Sequence, residues 1–455
     1  MERCPHSKFH LPRPDRSPRF LSESEYYALE VPPIYRGYPV YAPGRGPAGY
    51  LETLRQKEPE IVFDPAKLRT RQDWIRAGAI VFRAARTFAP AETGIAQSEE
   101  GVRTLNIATT PEGIIPYLQY FVRQKGVVEL GTDACATCHT RVLPDGTVVY
   151  GGQGNFPWSR RGAWARSHDP RPNMDRLIAN QERTLFLAPW VENASDLLAT
   201  TLAEFVRRFN AMQPGVIARE GTSSVYPVHV PSLIGIRDLR YLDATGLTRH
   251  RSIGDLMRYA IVNQGVNEGL QMSARYGDHQ PIAKSRQRFS DEQLYALALY
   301  LYSLEPPPNP NRLDETARRG QGVFERSGCS GCHTPPLYTN NRLTPARAFR
   351  PPAKLAETDQ ILDISVGTDT GLALKTRRGT GFYKVPSLRG VWYRNAFGHT
   401  GQAETLEEWF DPARVRSDYI PKGFHLAPGP IQGHEFGLNL SAEDRKSLIA
   451  FLRTL

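Results

Sequence analysis

The sequence predicts a mainly α-helical fold with two related domains, and three observations carry that prediction. A Cys-x-x-Cys-His motif occurs twice, at residues 135–139 and 329–333. A Val-Pro-Ser-Leu segment also occurs twice, at residues 230–233 and 385–388. Each copy then runs on to an amphipathic helix with a polar start. The same order of motif, long loop, segment and final helix indicates two copies of one domain.

The helices themselves are predicted from apolar spacing and capping residues. Apolar side chains recur at helical intervals up to Phe82, which predicts a helix over about residues 66–86. A similar helix ends at Phe324, just before the second motif. Ser290 and Ser441 are expected to be the N-caps of the two final helices, because each is followed by acidic residues in the first turn.

Three segments follow from this repeat. We expect residues 1–60, rich in Pro, Arg and Tyr, to form an extended N-terminal arm. Residues 61–308 form the first domain, with insertions at about 88–131 and 155–215. Residues 309–455 form the second domain, after the linker that begins at Pro306.

The two Cys-x-x-Cys-His motifs predict two covalent haem c groups. Two thiols three positions apart can add to the two vinyl groups of one haem, and the adjacent histidine can then bind the iron. A zinc site would need a further Cys or Cys/His pair nearby, and a redox-active pair a βαβ setting. The fold expected is two class-I-like cytochrome c domains. The predicted attachment and iron-binding residues are Cys135, Cys138, His139, Cys329, Cys332 and His333.

The second haem needs a sixth iron ligand, and His434 is the predicted one. No Met follows His333, and His434 lies seven residues before Ser441, where small c-type cytochromes carry their distal Met. The alternative is a surface histidine in a Gly-rich loop. Further candidates for this ligand are Tyr419, His425 and His399.

The equivalent position before Ser290 is Ala283, which cannot bind iron. The nearby candidates are Met272, Tyr276 and His279. We therefore expect the first haem to have an open face, at which hydrogen peroxide or dioxygen would bind.

Composition narrows the choice of partners. The chain has 455 residues and a net charge of +10, which favours acidic partners such as an acidic electron-donor protein. No Lys/Arg block with interleaved aromatic residues occurs, so nucleic-acid binding is not expected. The sequence contains no run of 18 apolar residues, so no membrane-spanning helix is predicted. The N-terminal residues carry no visible signal peptide, yet covalent haem attachment predicts a periplasmic or secreted location for a trimmed chain.

Several motifs resemble the bacterial diheme cytochrome c peroxidase superfamily, which includes the MauG-type enzymes. They are Cys329-Ser-Gly-Cys-His-Thr-Pro-Pro, Asp369-Thr-Gly, Phe382-Tyr-Lys-Val-Pro-Ser-Leu-Arg-Gly-Val and Phe397-Gly-His-Thr-Gly. The resemblance covers residues 315–455 well and 230–305 weakly. It implies that the first haem reduces peroxide and that the second receives electrons from a small redox protein. It also implies an interdomain calcium site.

The family carries a Trp between its haems and a distal Glu in an Asn-Pro-x-Glu segment. The family's Trp stands in a Phe-Trp-Asp-Gly segment, which corresponds here to Tyr241-Leu-Asp. Leu242 occupies the Trp position, so Tyr241 or Trp190 would relay electrons. The family's Asn-Pro-x-Glu segment corresponds to residues 263–268 of this chain, which are two residues longer than the family pattern. The resemblance therefore implies that the catalytic candidates, which would move a proton between the peroxide oxygens, are Asn263, Gln264 and Glu268. The alternative for each is a polar surface position.

Two further functions remain open. The long spacing between the haem motifs and the insertions in the first domain are similar to the latex-cleaving rubber oxygenases, which would make the chain a dioxygenase acting on an apolar substrate. A non-catalytic electron carrier would need six ligands on both irons. The leading prediction is a diheme oxidoreductase that reduces hydrogen peroxide.

Overall fold

The computed structural model describes residues 23–93, 95, 98–185, 197–219, 221–263, 287–352 and 360–455. Helix is the dominant regular structure in these residues, which confirms the mainly α prediction. The helices are α1 (Glu23–Tyr27), α2 (Tyr50–Arg55), α3 (Arg71–Arg83), α4 (Glu99–Thr104), α5 (Cys135–Cys138), α6 (Trp158–Ser167), α7 (Met174–Leu185), α8 (Leu202–Asn210), α9 (Ile253–Asn263), α10 (Asp291–Tyr302), α11 (Glu315–Arg326), α12 (Gly371–Lys375), α13 (Leu406–Trp409) and α14 (Ala442–Arg453).

The strands form one larger sheet and three two-stranded ribbons in the described residues. The larger sheet has the antiparallel order β1-β3-β4-β2, and the ribbons pair β5 with β6, β7 with β8 and β9 with β10. The strands are β1 (Gly37–Tyr41), β2 (Phe88–Pro90), β3 (Ile114–Gln124), β4 (Val127–Gly131), β5 (Thr140–Val142), β6 (Val148–Tyr150), β7 (Val216–Ile217), β8 (Val228–His229), β9 (Leu343–Pro345) and β10 (Phe382–Lys384).

Capping residues fix where the main helices begin. Ser290 accepts a hydrogen bond from the Gln293 N–H, and Ser441 accepts one from the Asp444 N–H, so both predicted N-caps are confirmed. The helix predicted over about 66–86 is shorter, because Thr70 and Asp73 form a capping box that starts α3 at Arg71. The preceding residues Pro65–Lys67 form a separate 3₁₀ turn.

Two helix pairs repeat the same close crossing. Helix α3 packs against α10, and α11 packs against α14. A Cβ atom on Gly78 would lie 2.0 Å from the carbonyl oxygen of Ala296, and one on Gly320 would lie 1.8 Å from that of Ser447. Each glycine stands four residues before a buried phenylalanine, Phe82 or Phe324. Glycine is therefore needed at both crossings because the backbones touch, and the two pairs are built alike.

This crossing yields a prediction with an internal control. We expect Gly320→Ala to lower the free energy of unfolding by about 1–3 kcal/mol, because overpacking outweighs the gain in helix propensity of about 1 kcal/mol. The control is Gly322→Ala in the same helix, whose Cβ would meet only the Arg326 side chain, at 3.7 Å. Gly322→Ala should leave stability unchanged or raise it. Urea unfolding of both variants measures the difference in the free energy of unfolding. Equal stabilities would contradict the claim that the close contact of the two helices requires glycine at residue 320.

The three largest apolar cores of the described residues lie in different parts of the fold. The first surrounds α3, α9 and α10 and includes Phe82, Leu256 and Leu297. Another joins α11, α13 and α14 through side chains such as Phe324 and Phe451. The remaining core lies under the four-stranded sheet.

The first insertion, residues 88–131, contains strands that the sequence analysis did not predict. Strands β3 and β4 form a hairpin around Lys125 and Gly126, and β1 from the predicted N-terminal arm pairs with β3. Gly126 has a φ of 84°, a conformation that glycine adopts without steric cost. The apolar run before Lys125 and the Gly after it were the available hairpin signal.

No helix in the described ranges is long and apolar enough to cross a membrane.

Candidate haem-binding site

The first Cys-x-x-Cys-His motif forms one helical turn, α5, that is tied to the neighbouring sheet. The Thr137 hydroxyl donates to the Tyr117 carbonyl at 3.0 Å and accepts from the Ala134 N–H at 3.2 Å. His139 then places its Nδ1 3.1 Å from the carbonyl oxygen of Pro231, in the first Val-Pro-Ser-Leu segment. A histidine whose Nδ1 donates to a carbonyl leaves Nε2 free to bind a metal, with its ring orientation fixed.

The second motif repeats this arrangement. Cys329–Gly331 form a 3₁₀ turn, and the His333 N–H donates to the Cys329 carbonyl at 2.8 Å. The Nδ1 atom of His333 lies 3.1 Å from the carbonyl oxygen of Tyr338. Burial lowers the pKa of both motif histidines, to about 4 for His139, so both rings are neutral at pH 7. Neutral imidazole is the form that binds a metal.

His434 faces His333. The centroids of the two rings are 6.2 Å apart, with an angle of 59° between the ring planes. Two imidazoles on opposite sides of one metal ion would have centroids roughly 6 Å apart, because each metal–nitrogen bond is about 2 Å. Burial lowers the pKa of His434 to about 4, and its Nδ1 atom is buried without a hydrogen-bond partner. The geometry therefore fits the pairing predicted from the sequence, and ligation itself stays a prediction.

The other candidates for the sixth ligand are engaged elsewhere. Tyr419 donates its hydroxyl to Glu408 at 3.0 Å, and the Nδ1 atom of His425 lies 2.9 Å from the Gly423 carbonyl oxygen. His399 lines the same cavity as His434, but its Nε2 atom lies 3.1 Å from Asp369 Oδ2. Burial raises the pKa of Asp369, and the nearby His399 ring, the Gly371 N–H and the Gln402 side chain together lower it to about 2.

One cavity of about 660 Å³ reaches both motifs. Its walls include the cysteines and histidines of both motifs, together with His434. Apolar side chains form much of the remaining wall. They include Leu297 from the core around α3 and α10, and Leu452 from the core around α11 and α14. The two predicted haem sites are therefore parts of a single space in the described structure.

The charged side chains that line this cavity are mostly basic. Among the described residues, Arg219, Arg378, Lys384 and Arg394 line it against one lining carboxylate, that of Asp243, and Arg219 also lies 3.9 Å from Asp133. Burying cations without anions is unfavourable in a low-dielectric interior. Lys384 and Arg394 have no ion pair with a carboxylate in the described residues, so these two positions would suit an occupant that brings negative charge.

Lys384 and Arg394 illustrate how these cations are held. The Lys384 ammonium donates to the Tyr241 carbonyl at 3.1 Å, and burial lowers its pKa to about 8. Arg394 donates to the carbonyls of Ser387 and Arg389, while its Nε atom is buried without a partner. Burial also lowers the pKa of Arg394. Donor capacity is left over on the cavity side of the protein.

The residues present fit haem c. The motif thiols and histidines supply attachment and iron ligands, and the basic side chains match the two carboxylates that each haem carries. A zinc site would need further Cys or His ligands beside the motif thiols, and the described residues do not supply them. Nor do the described residues contain a group of three or more His, Cys, Asp or Glu side chains that could hold a metal ion alone.

The predicted catalytic residues are only partly described. Asn263 ends α9 and lines the cavity, where its carbonyl accepts from Arg219 and its side-chain oxygen accepts from Arg378, each through a short hydrogen bond of 2.5–2.7 Å. Its side-chain amide donates to the Tyr259 carbonyl at 2.7 Å. The other two, Gln264 and Glu268, lie outside the described residues. So do Trp190, Met272, Tyr276, His279 and Ala283.

The predicted relay segment is buried but engaged. Tyr241 donates its hydroxyl to Gln360 at 3.2 Å, and Leu242 packs into the core around α3 and α10. Asp243 accepts from the backbone of Thr245, Leu247 and Thr248, which fixes the turn at the cavity wall.

Sequence reasoning missed the buried basic lining. The repeat held one signal for it, because His229 and Lys384 occupy equivalent positions directly before each Val-Pro. Both line the cavity. Burial lowers the pKa of His229 to about 4, and its Nδ1 atom lies 2.8 Å from the Gly398 carbonyl oxygen.

Comparison with known proteins finds only distant structural similarity. The sequence matches no protein-family model and no curated protein. A hydrazine synthase from Kuenenia stuttgartiensis is 18% identical, with 63% of this chain and 89% of that chain covered and a TM-score of 0.31. A MauG-like protein associated with microbial copper homeostasis is 17% identical, with 55% and 81% covered and a TM-score of 0.31.

A variant of the diheme peroxidase BthA from Burkholderia thailandensis is 18% identical, with 69% of this chain and 91% of that chain covered and a TM-score of 0.30. Scores of this size carry no argument about function, so the assignment rests on the site itself.

Proposed function

We propose that this chain is a diheme c-type oxidoreductase that reduces hydrogen peroxide at the haem of the first motif, with electrons relayed by the haem of the second. The observation that carries the proposal is the inequality of two motifs facing one cavity. His333 faces a second imidazole, that of His434, at 6.2 Å. His139 has no ring contact with another histidine in the described part of the chain.

An iron with two imidazole ligands is suited to electron storage and transfer, whereas an iron with an open face can bind peroxide. The overall reaction consumes one peroxide, two electrons and two protons and yields two water molecules. The electrons would come from a small redox protein, and the net charge of +10 favours an acidic one. Periplasmic location, two class-I-like cytochrome c domains and an interdomain calcium ion are parts of the same proposal.

The protein residues would hold the reacting groups in place. The Pro231 carbonyl fixes the His139 ring, which would leave Nε2 free to bind the haem iron. Arg219 and Arg378 fix Asn263 at the cavity wall, at the end of α9. In this proposal the carboxylate of Glu268 takes a proton from one peroxide oxygen and delivers it to the other, while the amides of Asn263 and Gln264 hydrogen-bond to the peroxide.

The basic lining would serve both haems. Each haem carboxylate near Lys384 or Arg394 would replace the water that these cations lose on burial.

The test combines electron paramagnetic resonance of the oxidised holoprotein with steady-state peroxide consumption. We expect one high-spin and one low-spin haem per chain, and peroxide turnover that depends on a reduced donor. Two low-spin haems without peroxide turnover would favour the electron carrier and contradict the proposal. Oxygen consumption with an apolar polymer, and none with peroxide, would favour the dioxygenase.

A further inference from the structure

We infer that Arg414 is a positioning residue that holds His434 against the iron of the second haem. The inference rests on the proposed ligation by His434 and deepens it, because it names the group that keeps the ligand in place. Arg414 does not line the cavity and would act only through the loop that carries His434.

Arg414 is fully buried, and all of its nitrogen atoms donate to carbonyl groups of the described chain. Nε donates to Trp409 at 2.7 Å, and Nη1 donates to Ile431 at 2.6 Å. Nη2 donates to Gly433 at 3.1 Å and to His434 at 2.7 Å. One guanidinium group therefore joins the end of α13 to the loop at residues 431–434.

A buried guanidinium bonded to carbonyls is an unfavourable choice for packing alone. Burial lowers the pKa of Arg414, and none of its four acceptors is a carboxylate. An apolar side chain would fill the same volume without losing the hydration of a charge. The arrangement is explained if the planar fork is needed to set the positions of several carbonyls at once.

The loop needs such a brace because its backbone is strained. His434 has a φ of 50°, in the left-handed region that residues with a Cβ rarely adopt. The only other main-chain tie to His434 in the described residues, apart from its bond to Arg414, is the N–H that donates to Val366 at 2.6 Å. Without Arg414 the residue can relax to an ordinary backbone conformation, which would turn the ring away from His333.

The same cation also shapes the surroundings of the ring. The guanidinium carbon of Arg414 lies 4.7 Å from the Trp409 ring centroid, and the Trp409 and His434 rings are 5.6 Å apart. A 3₁₀ turn over Pro412–Val415, capped by Asp411, presents Arg414 to both. The brace thus fixes the backbone of His434 and one wall of its ring.

The experiment compares Arg414→Gln and Arg414→Lys with the unchanged holoprotein. Cyanide competes with His434 for the ferric second haem, so its apparent affinity reports how firmly His434 is held. We expect Arg414→Gln to tighten cyanide binding at this haem by about 10- to 100-fold, the usual effect of losing a group that orients a metal ligand. Arg414→Lys, which keeps the charge and loses the fork, should show a smaller change. Electron paramagnetic resonance identifies the haem that responds.

Arg208→Gln is the matched control. Arg208 is a buried arginine on α8 that bonds to Ser224 and Glu204, outside the cavity lining. It should lower thermal stability without changing cyanide affinity at the second haem. Equal changes in Arg414→Gln and Arg208→Gln would mean general loosening and would overturn the inference.

A double variant separates this inference from the proposed ligation. If Arg414 acts through His434, Arg414→Gln should change nothing further in a His434→Ala background. An equal tightening in that background would overturn the inference. If His434→Ala alone leaves the haem spectrum unchanged, the ligation is wrong. If His434→Ala changes the spectrum and Arg414→Gln leaves cyanide affinity unchanged, only the positioning role is wrong.

Discussion

Replacing His434 by Ala should convert the second haem from low-spin to high-spin in the oxidised protein. The His434 ring lies across from His333 at 6.2 Å, and removing it leaves one axial imidazole. A single strong-field ligand does not keep ferric haem low-spin, so the low-spin signal of one haem per chain should be lost. The reduction potential of this haem should rise as well, because imidazole stabilises the ferric state.

The measurement is the electron paramagnetic resonance spectrum, supported by rescue with free imidazole. The cavity left by the ring should admit imidazole and restore the low-spin signal. His425→Ala is the control, since His425 lies in the same part of the chain and contacts the Gly423 carbonyl instead of the cavity. An unchanged spectrum for His434→Ala, or the same change for His425→Ala, would rule out His434 as the ligand.

Removing the two thiols of one motif should leave the other haem attached. We expect Cys135→Ser with Cys138→Ser, and Cys329→Ser with Cys332→Ser, each to lower the covalent haem content from two to one per chain. Serine cannot form the thioether bond. The mass of the intact chain and its haem absorbance give the stoichiometry.

The two double variants should lose different steps of the proposed reaction. Loss of the first haem removes the proposed peroxide site, so turnover should fall by at least about 10³-fold. Loss of the second haem should leave peroxide binding at the first, while electron delivery from the donor fails. Persistent turnover without the first motif would contradict the division of roles, and so would normal donor-driven turnover without the second.

Local signals in the sequence predicted the two final helices and their N-caps. Ser290 and Ser441 start their helices because a capping side chain needs only its own first turn. The seven-residue offset from Ser441 singled out His434, and its ring lies across from that of His333. Its role as an iron ligand stays a prediction.

Features built from distant segments were not predictable in the same way. Arg414 contacts carbonyls at residues 409, 431, 433 and 434, and nothing near it in sequence indicates a buried cation. The four-stranded sheet joins β1 to β3 across more than 70 residues. Gly78 and Gly320 show their purpose only when the second helix of each pair is present.

The single cavity has a consequence for the electrochemistry of the loaded protein. Two haem irons bound in this one cavity would feel each other's charge far more than they would across bulk water. Adding an electron to one iron would then lower the tendency of the other to accept one. A redox titration of both haems should be fitted as two macroscopic steps of a coupled pair. Neither midpoint would belong to His139 or to His333 alone.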